Sequence, residues 1–456
     1  MSPKKINFLI SHISSFFLVD RPVFLSLLTR FWMILSGIVS ILFVSKYLSL
    51  EVQGYYYTFG SLIALQIFAE LGLNNVIIQF VSHEMSKLKW SKNKILFGDT
   101  KSKKRLQSIA IFSFLWFSFA SVLLLIFLIP GGIFFFSSQP NLHLNIHPDI
   151  AWTLVVFSAA VLLIENAAFA VLEGCNKVSD VLEIRLTQTV FSSLALWISL
   201  KNNLGLYSLA VSTFVAAFIG FAFIFYRYKF FLLDLYGFKK NKFENEINWR
   251  NDIWPFQWRI AVSWASGYFV YQIFTPIVFA NQGPIQAAQL GMSLQIIFAL
   301  NASSLAWIAT KAPIFGKLVA EKKFNQLDSM FFGALKSSTF FILFSSVILL
   351  IIIFMLGKYE SPYATRIIPF NHFLILFLAS LANNFISSFA YYLRAFKEEK
   401  LMVVSIVLAI ITSSLAIFII PILGELGAVL AYSFGLIFIG LPWVSIIFFR
   451  VRKKVN

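Results

Sequence analysis

Apolar runs long enough to cross a lipid bilayer recur along the whole chain. A hydrocarbon layer of roughly 30 Å needs about 20 helical residues. Only 12% of the 456 residues are charged, and 59% are hydrophobic. The sequence therefore predicts an all-α polytopic membrane protein with about twelve transmembrane helices. Their predicted ranges are 22–45, 55–81, 108–136, 150–172, 186–200, 204–226, 255–280, 285–310, 331–356, 367–393, 401–420 and 426–449.

The basic residues follow these spans closely. Twelve alternating spans put 31 of the 37 lysines and arginines on one side and four on the other. Cytoplasmic loops of membrane proteins carry the excess of basic residues, so the richer side is predicted to be cytoplasmic, with both termini on it. The net charge of +17 is thus consistent with a membrane protein whose basic loops contact anionic lipid head groups. We expect no nucleic-acid partner.

The two halves of the sequence share landmarks in the same order, which indicates an internal duplication. Six spans per half predict parallel repeats related by an axis along the membrane normal, with the substrate route between them. The predicted lobes are residues 1–245, with helices 1–6 and a basic linker, and residues 246–456, with helices 7–12, around a central cavity. The matched pairs are Arg30 and Arg259, Gln53-Gly54 and Gln282-Gly283, Gln66 and Gln295, and Leu204-Gly205 and Leu423-Gly424.

Two arginines, Arg30 and Arg259, belong to neither side because each lies inside a predicted span. An intramembrane charge costs about 2.5 to 3.5 kcal/mol on insertion scales, so such residues usually face a bundle interior or a wet cavity. The alternative is snorkelling, in which the long side chain reaches the nearby interface. Helical spacing places Ser263 and Ser266 on the face of Arg259. We expect the two arginines on opposite walls of one cavity.

Two acidic residues also lie within spans. Glu70 shares a predicted helical stripe with Gln66 and Asn74, and Glu165 lies near the depth of Arg30. Both are candidates for ion coupling to a proton or sodium gradient, or for charge pairing with an arginine, and structural pairing is the simpler interpretation.

Several amides within spans are candidates for binding sugar hydroxyls, although asparagine and glutamine between membrane helices more often join the helices. These substrate-binding candidates are Asn74, Gln295, Asn301, Asn383 and Asn384.

The remaining chemistry is limited. The single cysteine, Cys175, excludes an internal disulfide and a thiolate metal cluster. No histidine has a partner at metal-ligand spacing, and neither a nucleotide-binding loop nor a nucleophile elbow is present. We therefore expect neither an enzyme nor a resident cofactor or metal. Because a guanidinium presents a planar fork that matches phosphate oxygens, paired arginines indicate an anionic, phosphorylated cargo.

The segments YLSLEVQGYY and AELGLNNVIIQFVSHE resemble the opening of bacterial polysaccharide flippases of the Wzx type. These belong to the multidrug/oligosaccharidyl-lipid/polysaccharide exporter group. The later KAPIFGKLVAEKKFNQLDSM and PILGELGAVLAY resemble the matching landmarks of its second half. Glu70 stands where these flippases often have aspartate, and twelve spans differ from the fourteen typical of lipid II flippases.

The resemblance implies a flippase that turns a polyprenyl-diphosphate-linked oligosaccharide, such as an O-antigen unit, across the bacterial inner membrane by alternating access. It implies that Arg30 and Arg259 hold the diphosphate. Expected partners are the lipid-linked oligosaccharide, membrane lipids and other polysaccharide-assembly membrane proteins. Two rivals remain open: a multidrug and toxic-compound extrusion antiporter, whose cavity is expected to be acidic or hydrophobic, and a membrane-embedded polysaccharide polymerase with a large external loop.

Overall fold

The apolar runs form helices because a lipid core offers no water to satisfy backbone N–H and C=O groups. The computed structural model describes residues 21–91, 94–137, 147–237, 254–396 and 400–455. In this part of the chain, eleven helical segments are long and apolar enough to cross a membrane. A twelfth apolar segment, the predicted seventh span, is interrupted. The protein is thus an all-α, multi-pass membrane protein, as its sequence predicts.

Among its described residues, the first half contains eight helices and one small hairpin. The helices are α1 (Arg21–Tyr47), α2 (Leu50–Ile63), α3 (Ile67–Glu70), α4 (Leu73–Met85), α5 (Thr100–Ser137), α6 (Pro148–Gly174), α7 (Val178–Lys201) and α8 (Tyr207–Gly237). A short 3₁₀ turn, Ala64–Gln66, joins α2 to α3. The antiparallel strands β1 (Leu88–Trp90) and β2 (Leu96–Gly98) pair Lys89 with Phe97.

The described part of the second half contains nine helices. They are α9 (Trp254–Tyr271), α10 (Phe274–Gln282), α11 (Pro284–Ala309), α12 (Ala312–Ala320), α13 (Phe324–Lys358), α14 (Phe370–Arg394), α15 (Met402–Leu423), α16 (Glu425–Phe434) and α17 (Leu441–Val455). A 3₁₀ turn, Ala364–Arg366, precedes α14, and a π-helical stretch, Gly435–Gly440, joins α16 to α17.

Two predicted spans are broken helices, for local reasons. In the second span, Leu71 and Gly72 both adopt left-handed conformations, with φ of 47° and 66°. Glycine adopts the left-handed conformation at no steric cost, so Gly72 allows the chain to leave α3 before α4 begins. In the seventh span, Pro276 lacks the N–H that would bond to the carbonyl of Gln272, so the helix is interrupted between α9 and α10.

Packing divides the chain into two units. The first contains the described residues up to Tyr47 together with Gly72–Gln257, and the second contains Leu48–Leu71 together with the chain from Trp258 onward. The predicted boundary at residue 245 assigns Leu48–Leu71 to the N-terminal lobe, whereas its contacts in the structure belong to the second unit.

Tryptophan and small residues set the packing of the first unit. Trp197 Nε1 donates to Ser40 Oγ at 2.9 Å, which joins α7 to α1. Trp152 Nε1 donates to the carbonyl of Leu128 at 2.8 Å, and its ring lies directly over Gly132, so α6 approaches α5 closely. Such close approach is the usual basis of helix association in lipid.

In the second unit, α2 packs against the start of α11. A Cβ added at Gly54 would lie 2.0 Å from the carbonyl oxygen of Pro284. The amide of Gln53 accepts from Arg366 Nη1 at 2.8 Å, which ties α2 to the turn before α14. A polar cluster of Ser304, Ser338 and Asn384 holds α11, α13 and α14 together.

Candidate functional site

Arg259 lies on α9, one turn from Ser263 and on the same helical face as Ser263 and Ser266. Its side chain is exposed, and its guanidinium lies 5.6 Å from the Trp258 ring centre. Among the described residues, no carboxylate lies within ion-pair distance of it. The charge of Arg259 is therefore available to a ligand.

A cavity of about 380 Å³ lies beside this face, within the second unit. Three helices contribute most of its wall: α9, the end of α14 and the start of α15. Ser263, Ser266, Ser387 and Ser405 supply hydroxyl groups to it. Because serine hydroxyls both donate and accept hydrogen bonds, this wall suits a polar, oxygen-rich ligand.

Aromatic rings, one arginine and a set of aliphatic side chains form the rest of the cavity wall. Trp264, Tyr271 and Tyr391 line it, and Arg394, the last residue of α14, does so as well. The hydroxyl of Tyr271 donates to Asn383 Oδ1 at 2.8 Å, which fixes the ring. Arg394 lies one residue beyond the predicted span 367–393 and is not among the site residues predicted from the sequence. Its position at the end of a polar-aromatic stretch, YYLR, was the available signal.

Arg30 lies on α1, in the first unit. It is exposed, and among the described residues it has no ion-pair partner. Helical spacing puts it between the face that packs on α7, which includes Ser40, and an exposed apolar face that includes Phe31 and Ile38. Gly37, on the same flank as Arg30, has open space beyond its Cα. This flank is the small and polar side of α1.

Glu165 is buried at the centre of the first unit, 3% exposed. Its Oε2 accepts from Gln188 Nε2 at 2.9 Å, and its Oε1 has no hydrogen-bond partner among the described residues. Gly220 leaves room for this carboxyl group, since an added Cβ would lie 2.2 Å from Oε2. The structure thus pairs Glu165 with an amide, and it shows no ion pair with Arg30.

Glu70, Asn74 and Gln295 do not line the cavity. The left-handed residues Leu71 and Gly72 interrupt the helix, so Glu70 and Asn74 lie on separate helices. The predicted stripe through both residues is therefore wrong, because it assumed one continuous helix. The Asn74 Oδ1 is buried and has no hydrogen-bond partner among the described residues. Gln295, on α11, is half-buried.

The asparagines of the second unit connect helices. Asn301 Nδ2 donates to Ser380 Oγ at 2.8 Å, and Asn384 Nδ2 donates to the hydroxyls of Ser304 and Ser338. Asn383 accepts from Tyr271. None of these three asparagines lines the cavity. The structure gives them the interhelical role, because each faces a neighbouring helix.

The ends of the helices on the predicted cytoplasmic side carry paired charges. Both Nη atoms of Arg227 donate to the Glu183 carboxylate at 3.1 Å, and Lys94 Nζ donates to the carbonyl of Arg227 at 2.9 Å. Burial, together with the charge of Arg227, lowers the pKa of Lys94. Within the described residues, no group of three or more His, Cys, Asp or Glu side chains is placed to hold a metal ion.

Solved structures of transporters share this architecture. An inward-facing multidrug resistance MATE family transporter of the MOP superfamily aligns with a TM-score of 0.65 and 14% identity, over 93% of this chain and 96% of that chain. The lipid II flippase MurJ, in an inward closed conformation, aligns with a TM-score of 0.63 and 16% identity, over 95% and 90%. The chain has the fold of the MOP superfamily transporters.

A third structure with the MOP fold extends this comparison. A MOP superfamily transporter from Pyrococcus furiosus, described as having a binding pocket of reverse polarity, aligns with a TM-score of 0.61 and 12% identity, over 95% of this chain and 94% of that chain. No family model and no curated protein matches the sequence. Identities this low establish the MOP fold alone, so the cargo must be argued from the side chains.

Proposed function

We propose that this protein is a flippase that moves a polyprenyl-diphosphate-linked oligosaccharide, such as an O-antigen unit, from the cytoplasmic to the outer leaflet of a bacterial inner membrane. Both termini are cytoplasmic, and transport proceeds by alternating access. Membrane lipids surround the protein, and other polysaccharide-assembly proteins supply and receive its cargo. The chain itself carries out transport and no chemical conversion.

The observation that carries this proposal is the position of Arg259. It stands, without a carboxylate partner among the described residues, on the face of α9 that borders a hydroxyl-rich and aromatic-rich cavity. A guanidinium suits the diphosphate, while hydroxyl groups and rings suit the adjoining sugar. In the first unit, Arg30 supplies a second exposed guanidinium on the polar flank of α1. The similarity to the fold of MurJ, a lipid II flippase, supports a lipid-linked cargo.

A multidrug and toxic-compound extrusion antiporter is the second candidate. The similarity to the MATE fold is as great as that to MurJ. The buried carboxyl of Glu165, which accepts from the Gln188 amide, favours a cationic ion or drug in the first unit. Glu70 and Glu165 are the coupling candidates for either cargo, with a proton or sodium gradient as the energy source. The position of Arg259 beside the second-unit cavity favours the anionic cargo.

Deletion of the gene tests the function directly. We expect a polyprenyl-diphosphate-linked oligosaccharide to accumulate in the cytoplasmic leaflet and the surface polysaccharide to disappear, measured by lipid extraction and mass spectrometry. Unchanged surface glycan together with increased sensitivity to cationic drugs would assign the protein to the antiporter class instead.

Arginine variants test the roles of the two residues. Arg30→Ala and Arg259→Ala should each abolish export of the lipid-linked sugar, whereas Lys at either position retains part of it, because lysine keeps the charge and loses the fork. Arg450→Ala, which removes an exposed arginine near the end of α17, is the matched control. Normal surface polysaccharide in both alanine variants, with the proteins present in the membrane, contradicts the assignment.

A further inference from the structure

Arg394 occupies a distinctive place in the second unit. It ends α14, where a positive charge interacts favourably with the negative end of the helix dipole. Its side chain is exposed and contributes to the wall of the 380 Å³ cavity. None of the lining residues, all from the described part of the chain, is acidic. Arg394 is therefore the one charged residue among these described lining residues.

The neighbours of Arg394 on this wall come from three different helices. Tyr391 and Ser387 lie one and two turns before it on α14, Ser405 lies on α15, and Ser263 lies on α9. Hydroxyl groups that converge with a guanidinium are a common arrangement for phosphate oxygens. The volume falls within the range of about 300 to 1,000 Å³ typical of small-molecule sites. A head group fits this space, while a lipid tail must remain outside it.

Arg259 extends the same surface. It precedes Ser263 by four residues on the same face of α9, about 6 Å nearer the predicted cytoplasmic end. A ligand in the cavity thus meets Arg394 on its wall, and Arg259 lies one helical turn from the lining residue Ser263. Two guanidinium groups suit a diphosphate better than a single phosphate, because each can hold one phosphoryl group.

We infer that Arg394, together with Ser263, Ser387 and Ser405, forms a phosphate-ester site in the second-unit cavity, and that this site holds the diphosphate of the cargo beside Arg259. The inference rests on the proposed function, whose evidence did not include Arg394. A membrane phospholipid head group offers the same chemistry, so the experiment must separate the two sources.

Binding of farnesyl diphosphate to the purified full chain in detergent micelles tests the site. Titration calorimetry of Arg394→Gln should show affinity at least about tenfold weaker than the unaltered chain, since a hydrogen bond to a charged group contributes about 1.5 to 3 kcal/mol. Arg450→Gln, which makes the same change outside the cavity, should bind normally. Farnesol, which lacks the diphosphate, should bind weakly and without dependence on Arg394.

A second variant avoids dependence on a charge change. Gly267 lines the cavity, and an added Cβ would meet no atom within 4 Å. Gly267→Leu should therefore fill the cavity without disturbing the helix and should weaken binding to a similar extent. Gly333→Leu is its control, because Gly333 is an exposed helical glycine on α13 with the same open space and no place in the cavity.

Competition identifies the source of the phosphate. Displacement of farnesyl diphosphate by inorganic diphosphate, with phosphatidylglycerol ineffective, supports the cargo site. Displacement by phosphatidylglycerol alone overturns it in favour of a membrane phospholipid. Equal affinity of Arg394→Gln and the unaltered chain overturns this inference and leaves the proposed function standing. Failure of the unaltered chain to bind any prenyl diphosphate overturns both.

Discussion

A guanidinium within a membrane-spanning helix carries a large desolvation cost, and its surroundings decide what offsets that cost. Neither Arg30 nor Arg259 has an ion-pair partner among the described residues. Arg259 lies beside a cavity that four serine hydroxyls help to line, and Arg30 lies on the polar flank of its helix beside an open space at Gly37. Water or an anionic ligand at these positions can stabilise the charge. Both residues are thus suited to binding and contribute little to the packing.

Cys175 is predicted to be unreactive in the folded protein. Its side chain is fully buried, and burial raises the pKa of the thiol to about 12. Because only the thiolate is nucleophilic, its reactive fraction at pH 8 is on the order of one in 10,000. A maleimide should label Cys175 slowly in micelles and rapidly after unfolding in SDS, as measured by mass spectrometry. Rapid labelling of the folded chain contradicts this burial.

Asn384→Leu should destabilise the second unit without weakening ligand binding. The variant removes hydrogen bonds to Ser304 and Ser338, which contribute about 1 kcal/mol between membrane helices. Thermal unfolding in micelles and affinity for farnesyl diphosphate are the two measurements. Asn281→Leu is the control, because Asn281 is exposed and bonds within its own helix. Loss of binding with unchanged stability would contradict this role and would show that Asn384 takes part in cargo binding.

At the level of helices, the segment Leu48–Leu71 has the most unexpected role. It belongs to the N-terminal half of the sequence, but its helix α2 packs on α11 in the second unit. Gly54 allows the approach to Pro284, and Gln53 binds Arg366. The segment begins at Leu48, just after α1 ends, and it ends at the left-handed Leu71. Helical structure is therefore interrupted at both of its ends.

Substitutions of glycine in α2 test this contact. Gly54→Ala should destabilise the protein by about 1 to 3 kcal/mol, because the new methyl group overlaps the Pro284 carbonyl. Gly60→Ala, in the same helix with open space around it, should be neutral or stabilising by up to about 1 kcal/mol. Thermal unfolding of both variants in micelles measures the difference. Equal behaviour of the two would show that α2 and α11 do not touch at Gly54.

In each unit, a tyrosine hydroxyl and an aspartate join helix ends on the predicted cytoplasmic side. In the first unit, the Tyr228 hydroxyl donates to Asp180. In the second, the Tyr392 hydroxyl donates to Asp328 at 2.8 Å, and Arg452 Nε binds the same carboxylate at 2.6 Å. Each contact joins the start of one span to the end of another. Such pairs fix the helix ends at the level where lipid gives way to water.

For the whole molecule, the charge distribution predicts the orientation, and the chain provides a convenient test. Because Cys175 is expected to be unreactive, single cysteines can be introduced with little background. In spheroplasts, Tyr359→Cys should react with a membrane-impermeant maleimide, whereas Lys317→Cys should react only after permeabilisation. Both positions are exposed, at the end of α13 and on α12. The reverse pattern would invert the proposed topology.

Hydropathy alone predicted the class and most of the spans, because the cost of placing polar groups in lipid acts on each segment separately. The helical face shared by Ser263 and Ser266 also followed from spacing, and both residues line one cavity. The stripe through Glu70 and Asn74 failed, since spacing arguments assume an unbroken helix and Gly72 ends one.

By itself the sequence determined that this is a polytopic helical membrane protein, and it predicted two arginines inside the spans. Only the tertiary structure decided what surrounds those spans: the amide that meets Glu165, the hydroxyls that meet Asn384, the helix that receives Gly54 and the cavity that includes Arg394. Hydropathy and charge are properties of neighbouring residues, whereas these contacts join residues far apart in the chain, such as Gln53 and Arg366.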